Sequence, residues 1–190
     1  MEFIEKKYIL RNGQTILLRS ARKEDAPALI NCLKTTSGET SFLSRESDEI
    51  NITKEEEESF IQKMADEPRE LMLVAFMNGE LVGICSFSLI SGYKRFHHRC
   101  NVGIALYQKF CGLGIGRIMM EELLKAAKDC GYEQVELEVI STNKSAIHLY
   151  ESLGFEKYGT LSHSMKYQDN SYADDWLMIK SFTKNLGDKV

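Results

Sequence analysis

Cys111-Gly112-Leu113-Gly114-Ile115-Gly116-Arg117 joins two runs of different periodicity. Cys100 to Tyr107, before it, has the apolar and β-branched content of a strand; after it, Ile115, Met119, Leu123, Ala127 and Cys130 recur on one helical face, and Gly131 suits the position just past a helix end. Glycines at alternate positions remove Cβ atoms, so the main chain can approach a phosphate closely. The N–H groups at the helix start then meet that anion with the positive end of the helix dipole behind them. The segment predicts a cradle for a pyrophosphate. Glycines also serve tight packing of helix on sheet, and a dinucleotide-binding fold is the nearest rival, because Glu136 and Glu138 lie about where its ribose-binding acid should stand. Against that rival, its fingerprint is G-x-G-x-x-G where this chain reads G-x-G-x-G, and the loop here follows an antiparallel-looking meander rather than the first strand of a parallel sheet.

Working outward from the loop, Asn78-Gly79 accepts the positive φ angles of a tight turn and makes a hairpin of Leu71 to Met77 and Glu80 to Leu89. The basic, aromatic turn Gly92 to Arg99 extends it into a meander. Further upstream, Gln14 to Arg19 reads as a first strand. A helix follows on Ala26, Leu29, Ile30 and Leu33, with Pro27 in its first turn, and Thr36 to Asn51 reads as an ordered loop. Thr53 then caps a helix that opens with Glu55 to Glu58 and buries Phe60, Ile61 and Met64. Downstream come a strand over Gln134 to Ile140, a helix over Asn143 to Leu153 ended by Gly154, and two strands around Phe155 to Tyr167 and Tyr172 to Lys180. No repeat or Pro-rich linker interrupts this order, so one α/β domain over 1–190 is expected, with its core at about 16–180.

Composition narrows the function classes. Among the 190 residues, 24 Lys and Arg against 28 Asp and Glu give a net charge of −4, the wrong sign for a face that neutralises nucleic-acid phosphates. The five cysteines, Cys32, Cys85, Cys100, Cys111 and Cys130, are scattered and form no C-x-x-C pair, which fits a reduced cytoplasm better than a disulfide framework or a zinc site. His97, His98, His148 and His163 have no metal-ligand spacing, so no metal is expected. Neither a signal peptide nor an apolar run of about 18 residues or more is present, so no membrane association is expected.

The glycine loop, together with Phe110 before it, resembles the acyl-CoA pyrophosphate loop of the GNAT superfamily of N-acetyltransferases. Asn143-Lys144-Ser145-Ala146-Ile147-His148-Leu149-Tyr150-Glu151-Ser152-Leu153-Gly154-Phe155 is similar to that family's second signature, which ends in Leu-Tyr-x-x-x-Gly-Phe, and Leu18 to Ala26 resembles its opening strand and helix start. The element order agrees over about residues 16 to 180. The resemblance implies a mixed, mostly antiparallel central sheet of about seven strands flanked by about four helices and splayed between its fourth and fifth strands. It implies acetyl-CoA as cosubstrate, held by Cys111, Gly112, Leu113, Gly114, Ile115, Gly116 and Arg117, with Ile104, Ala105 and Leu106 along the pantetheine arm and Asn143 and Tyr150 also in contact. One position departs from the pattern: Cys111 stands where the family has Arg or Gln.

The chemistry so implied is transfer of an acetyl group to a primary amine, of a small molecule or a protein N-terminus, by direct attack. It needs an oxyanion donor, for which the N–H of Leu106 is placed, and a proton for the departing thiolate, for which Tyr150 matches the family's general acid. A phenol stays protonated at pH 7. For the base, His98, Glu136 and Glu138 are candidates by position, or water carries the proton. Glu39, Glu46, Asp48, Glu49, Asp169, Asp174 and Asp175 fall where the family walls its acceptor site and suit a cationic amine. A homodimer through the last strand is expected if Trp176 is exposed. A nicotinamide-dependent oxidoreductase and a noncatalytic CoA-binding sensor are the alternatives. Gly114→Asp, which adds an anion inside the cradle, abolishes CoA binding by isothermal calorimetry; an unchanged affinity would remove the loop from the site.

Overall fold

Lys6–Ile9, with alternating half-buried and exposed positions, forms strand β1 and pairs antiparallel with β2, Thr15–Ser20, in a computed structural model that describes residues 1–183. The turn between them closes on Gly13, at φ 84°. This first strand is absent from the sequence expectation. Only four residues long, with Ile9 79% exposed, it is an edge whose ladder partner rather than apolar content makes it a strand.

Helix α1 is Ala26–Glu39. It runs past Thr36, where the loop was expected, because the buried Thr36 hydroxyl donates to the Cys32 carbonyl at 2.7 Å and is satisfied within the helix. The remaining connection contains a short 3₁₀ turn, Ser47–Glu49. Helix α2, Lys54–Asp66, starts in a capping box: the Thr53 hydroxyl accepts from the Glu56 N–H and the Glu56 carboxylate from the Thr53 N–H. The remaining elements are β3 Leu71–Met77, β4 Glu80–Leu89, β5 Arg99–Leu106, α3 Ile115–Asp129, β6 Gln134–Ile140, α4 Lys144–Ser152, β7 Glu156–Lys166 and β8 Tyr172–Ser181. The described residues thus hold eight strands where about seven were expected, and four α-helices as expected.

These elements fall into two compact units, Met1–Ser88 with Gly103–Leu123, and Leu89–Val102 with Leu124 onward. The expected single domain extends to 190, and residues 184–190 lie outside the described residues. In the first unit the strand order is β1-β2-β3-β4-β5 around fully buried Ile16, Leu18, Leu73 and Phe87. In the second it is β5-β6-β8-β7, with β6–β8 and β8–β7 antiparallel and β5–β6 parallel. The parallel register covers only Arg99↔Gln134, Cys100↔Val135 and Asn101↔Glu136, although both strands continue, so pairing is lost where the splay was expected. Trp176 is half-buried, with Lys157 Nζ 4.1 Å from its ring centre.

Within the first unit, β4 and β5 approach closely at Gly83. A Cβ there would lie 2.8 Å from the Ala105 carbonyl oxygen and 2.8 Å from Leu106 Cγ, distances that side chains do not tolerate. Glycine is therefore required to let the Ile104–Leu106 strand end sit where it does. Gly83→Ala costs about 1–3 kcal/mol through overpacking, read as a lower urea midpoint; an unchanged midpoint would show that the strand end yields freely.

Candidate active site

In the first unit, β5 runs out through Tyr107 into a 3₁₀ turn, Gln108–Phe110, and then the glycine loop. Gly112 and Gly114 take φ of 79° and 87°, left-handed values that favour glycine at both positions. The first helical bond across the start of α3 runs from the Ile118 N–H to the Gly114 carbonyl at 3.2 Å. Upstream of it, the N–H groups of Gly112, Leu113, Gly114, Ile115 and Gly116 donate to no acceptor among the described residues. A row of unpaired donors at a helix N-terminus fits an anion, and the open space where Cβ atoms of Gly112 and Gly114 would stand leaves room for one. The residues present fit a pyrophosphate.

Three contacts, invisible to sequence reading because their partners lie far apart in the chain, hold this turn. The Gln108 N–H donates to Glu39 Oε2 at 2.7 Å, Lys109 pairs with Glu80 at 2.6 Å, and Asn31 Nδ2 donates to the Tyr107 hydroxyl at 3.1 Å. Glu39 is thereby engaged in positioning the loop. The Cys111 thiol points back to the Tyr107 carbonyl at 3.7 Å, with its pKa raised by burial first and then by Glu39, so it supplies no charge of the kind an arginine would. Arg117 pairs with Glu121 one turn on, at 3.6 Å. Ile104, Ala105 and Leu106 are half-buried. A groove of about 700 Å³ along α2, lined by Glu55, Glu58 and Asp66 among others, shares no residue with the loop.

In the second unit, Asn143 caps α4, its Oδ1 accepting from the Ala146 N–H at 3.2 Å, which leaves its amide NH₂ available to a ligand. Tyr150, in the same helix, is 9% exposed and stands edge-on to Phe155 at 5.9 Å. Burial pushes its phenol up to about 12. That lies well above an ordinary thiol near 8.5, so full proton transfer to a relaxed thiolate would be uphill by about 5 kcal/mol. Tyr150 is therefore suited to donating its hydrogen bond as a C–S bond breaks, and stays protonated throughout the neutral range.

Of the carboxylates named as bases, Glu136 is taken. Arg99 Nε and Nη2 reach its two oxygens at 2.5 and 2.7 Å, a bidentate pair with Glu136 8% exposed, so this acid is a strut rather than a proton acceptor. Glu138, two residues on, is exposed and makes no hydrogen bond or ion pair among the described residues. The His98 carbonyl accepts from the N–H groups of Glu133 and Gln134 at 2.8 and 3.1 Å, which fixes its backbone. Asp174 is committed to the His163 N–H and Asp169 to Ser171. Among the described residues no cluster of three His, Cys, Asp or Glu side chains can hold a metal ion, and no helix is long and apolar enough to cross a membrane.

The profile of the acetyltransferase (GNAT) family matches residues 39–155. A GNAT acetyltransferase of Streptococcus pneumoniae superposes with a TM-score of 0.84 at 31% identity, over 87% of this chain and 99% of that one. The L-amino acid N-acyltransferase MnaT of Escherichia coli is 31% identical over 84 residues, 44% of this chain and 49% of the relative. An N-alpha-acetyltransferase of Sulfolobus acidocaldarius is 32% identical over 107 residues, 52% of this chain and 64% of the relative. The chain thus spans about half the length of the first of these curated relatives and under two thirds of the second. An unpaired row of N–H groups at the head of α3, a parallel ladder that stops after Asn101, and this agreement in sequence and fold place the chain in the GNAT acetyltransferase family.

Proposed function

We propose that the chain transfers the acetyl group of acetyl-CoA to a primary amine of a small molecule or a protein N-terminus. The observation that carries the reading is the row of N–H groups from Gly112 to Gly116, gathered without a protein acceptor where a dianionic pyrophosphate would meet them all. The amine nitrogen attacks the thioester carbonyl, a C–N bond forms, and the resulting tetrahedral intermediate collapses with loss of the C–S bond. The Leu106 N–H meets the oxyanion, Tyr150 donates to the departing sulfur, and the amine's proton leaves to Glu138, directly or through water. No step calls on a metal. Relatives named as an L-amino acid N-acyltransferase and an N-alpha-acetyltransferase support an amine acceptor. Cytoplasmic residence fits acetyl-CoA supply and five cysteines that form no disulfide among the described residues. The homodimer receives no support from Trp176, which is covered by Lys157.

The first measurement is thermal stabilisation. At about 100 times its Kd a ligand adds about 2.7 kcal/mol, so acetyl-CoA and CoA raise the melting temperature and NAD(H) does not; the reverse pattern would mean an oxidoreductase. Acetyl-CoA binding without turnover across an amine panel would leave a CoA sensor. In an active enzyme, Tyr150→Phe lowers kcat by about 10²-fold while leaving the acetyl-CoA Kd unchanged, and full kcat in that variant removes the hydroxyl from the mechanism. Because its phenol ionises only at about 12, Tyr150 causes no fall in wild-type kcat between pH 7 and 10, and a fall that Tyr150→Phe abolishes would contradict this.

A further inference from the structure

Phe3-Ile4-Glu5-Lys6-Lys7-Tyr8-Ile9 complements itself about Lys6. Outward from that residue, Glu5 answers Lys7 in charge, Ile4 answers Tyr8, and Phe3 answers Ile9. The stretch holds β1, the outermost strand of the first unit, and upstream of it the chain stays beside β2, the Phe3 N–H donating to Ser20 Oγ at 2.9 Å. At the hairpin end the Leu10 N–H donates to the Gln14 carbonyl at 2.7 Å, and the β1–β2 register continues that pair through Tyr8↔Ile16 and Lys6↔Leu18. Hydrogen-bonded pairs alternate in an antiparallel ladder, so the main-chain groups of Lys7 and Ile9 turn away from β2, and Glu5 falls in the same phase. Ile4 and Ile9 are 82% and 79% exposed, while Glu5 and Lys7 are exposed and form no ion pair among the described residues.

We propose that this edge takes a second copy of the chain, β1 pairing antiparallel with β1 about a twofold axis through Lys6. A twofold axis perpendicular to the sheet opposes residues of the same face, so the axis must pass through a residue. Centred on Glu5, the pairing would oppose two unneutralised carboxylates; centred on Lys7, it would oppose two unneutralised ammonium groups and set Glu5 against Ile9. Centred on Lys6, it sets Glu5 against Lys7 on both sides of the axis, Ile4 against Tyr8 and Phe3 against Ile9. The Glu5 and Lys7 positions are also the outward-turned ones, which can exchange both N–H···O bonds. The two Lys6 side chains meet at the axis, where each is already neutralised by Glu122 of its own α3 at 2.8 Å. Lysines on an edge ordinarily deter pairing, but here each has an answering acid. The contact lies wholly within the first unit and does not depend on the acetyl-transfer reading.

Sedimentation equilibrium of the full chain reads the association. Pairing of one short strand lies at the small end of specific interfaces, so a dimer is expected at about 100 µM chain and dissociates on dilution. Glu5→Lys and Lys7→Glu each set like charges across both pairs and raise the dimer Kd at least about tenfold. Combined in one chain, the two substitutions restore opposite charges and return the Kd to within about threefold of wild type. Lys6→Cys brings two thiols to the axis at a Cα separation of about 4.5 Å, and mild oxidation traps a covalent dimer that the wild type does not form. A monomer at every concentration, a Kd indifferent to either single reversal, or single variants that the double reversal does not rescue overturns the pairing. So does a chain that associates but gives no covalent dimer through position 6, because its contact then lies elsewhere.

Discussion

Five consecutive main-chain N–H groups without a protein acceptor stand together at the head of α3, and the first unit is arranged around them. Gly112 and Gly114 turn the backbone through left-handed conformations so that these groups face outward together. The amphipathic run after them buries Ile115, Met119, Met120 and Leu123, which fixes the axis along which the dipole points. The turn ahead is held by Asn31 and Glu39 of α1 and by Glu80 at the start of β4, all distant in sequence. Electrostatic stabilisation of an anion is worth most when its donors need no reorganisation, and these contacts supply that rigidity.

The second unit solves a different problem, that of carrying acids on a buried strand face. Along β6, Glu136 is neutralised by a guanidinium fork while Glu138 stays in solvent. Two carboxylates on one strand face thus have two environments, and environment decides whether each is a strut or a proton acceptor. On α4, burial without a charged neighbour keeps Tyr150 neutral.

Much of this is legible in the sequence. The Asn78-Gly79 hairpin, the Thr53 cap, the glycine loop and the αβα run after it depend on local chemistry, which a sequence displays. What sequence did not display depends on partners far away. β1 exists because β2 offers a ladder, and α1 extends through Thr36 because the hydroxyl found the Cys32 carbonyl. Glu39, read from sequence among the acids of the acceptor wall, accepts instead from the N–H at position 108, to which nothing in its sequence neighbourhood points. Glu136 and Glu138, equivalent by alternation, are separated only by an arginine on a strand that joins theirs over three residue pairs. The charges of the site are therefore less readable than its backbone.

The order β6-β8-β7 has a bearing on how the chain is made. Strand β7, Glu156–Lys166, finds no ladder against β6 and bonds only to β8, which comes later in the sequence. During synthesis from the N-terminus, the first unit can complete its sheet once α3 has emerged, while the β6 edge and β7 wait for Tyr172–Ser181 to slot between them. Until that strand leaves the ribosome the nascent chain shows two unpaired edges, and β7 carries the features that discourage stray pairing: register breaks near Tyr158 and between Leu161 and Met165, with His163 at a φ of 54°. The irregularity of β7 reads as protection for an interval in which its partner has not yet been translated.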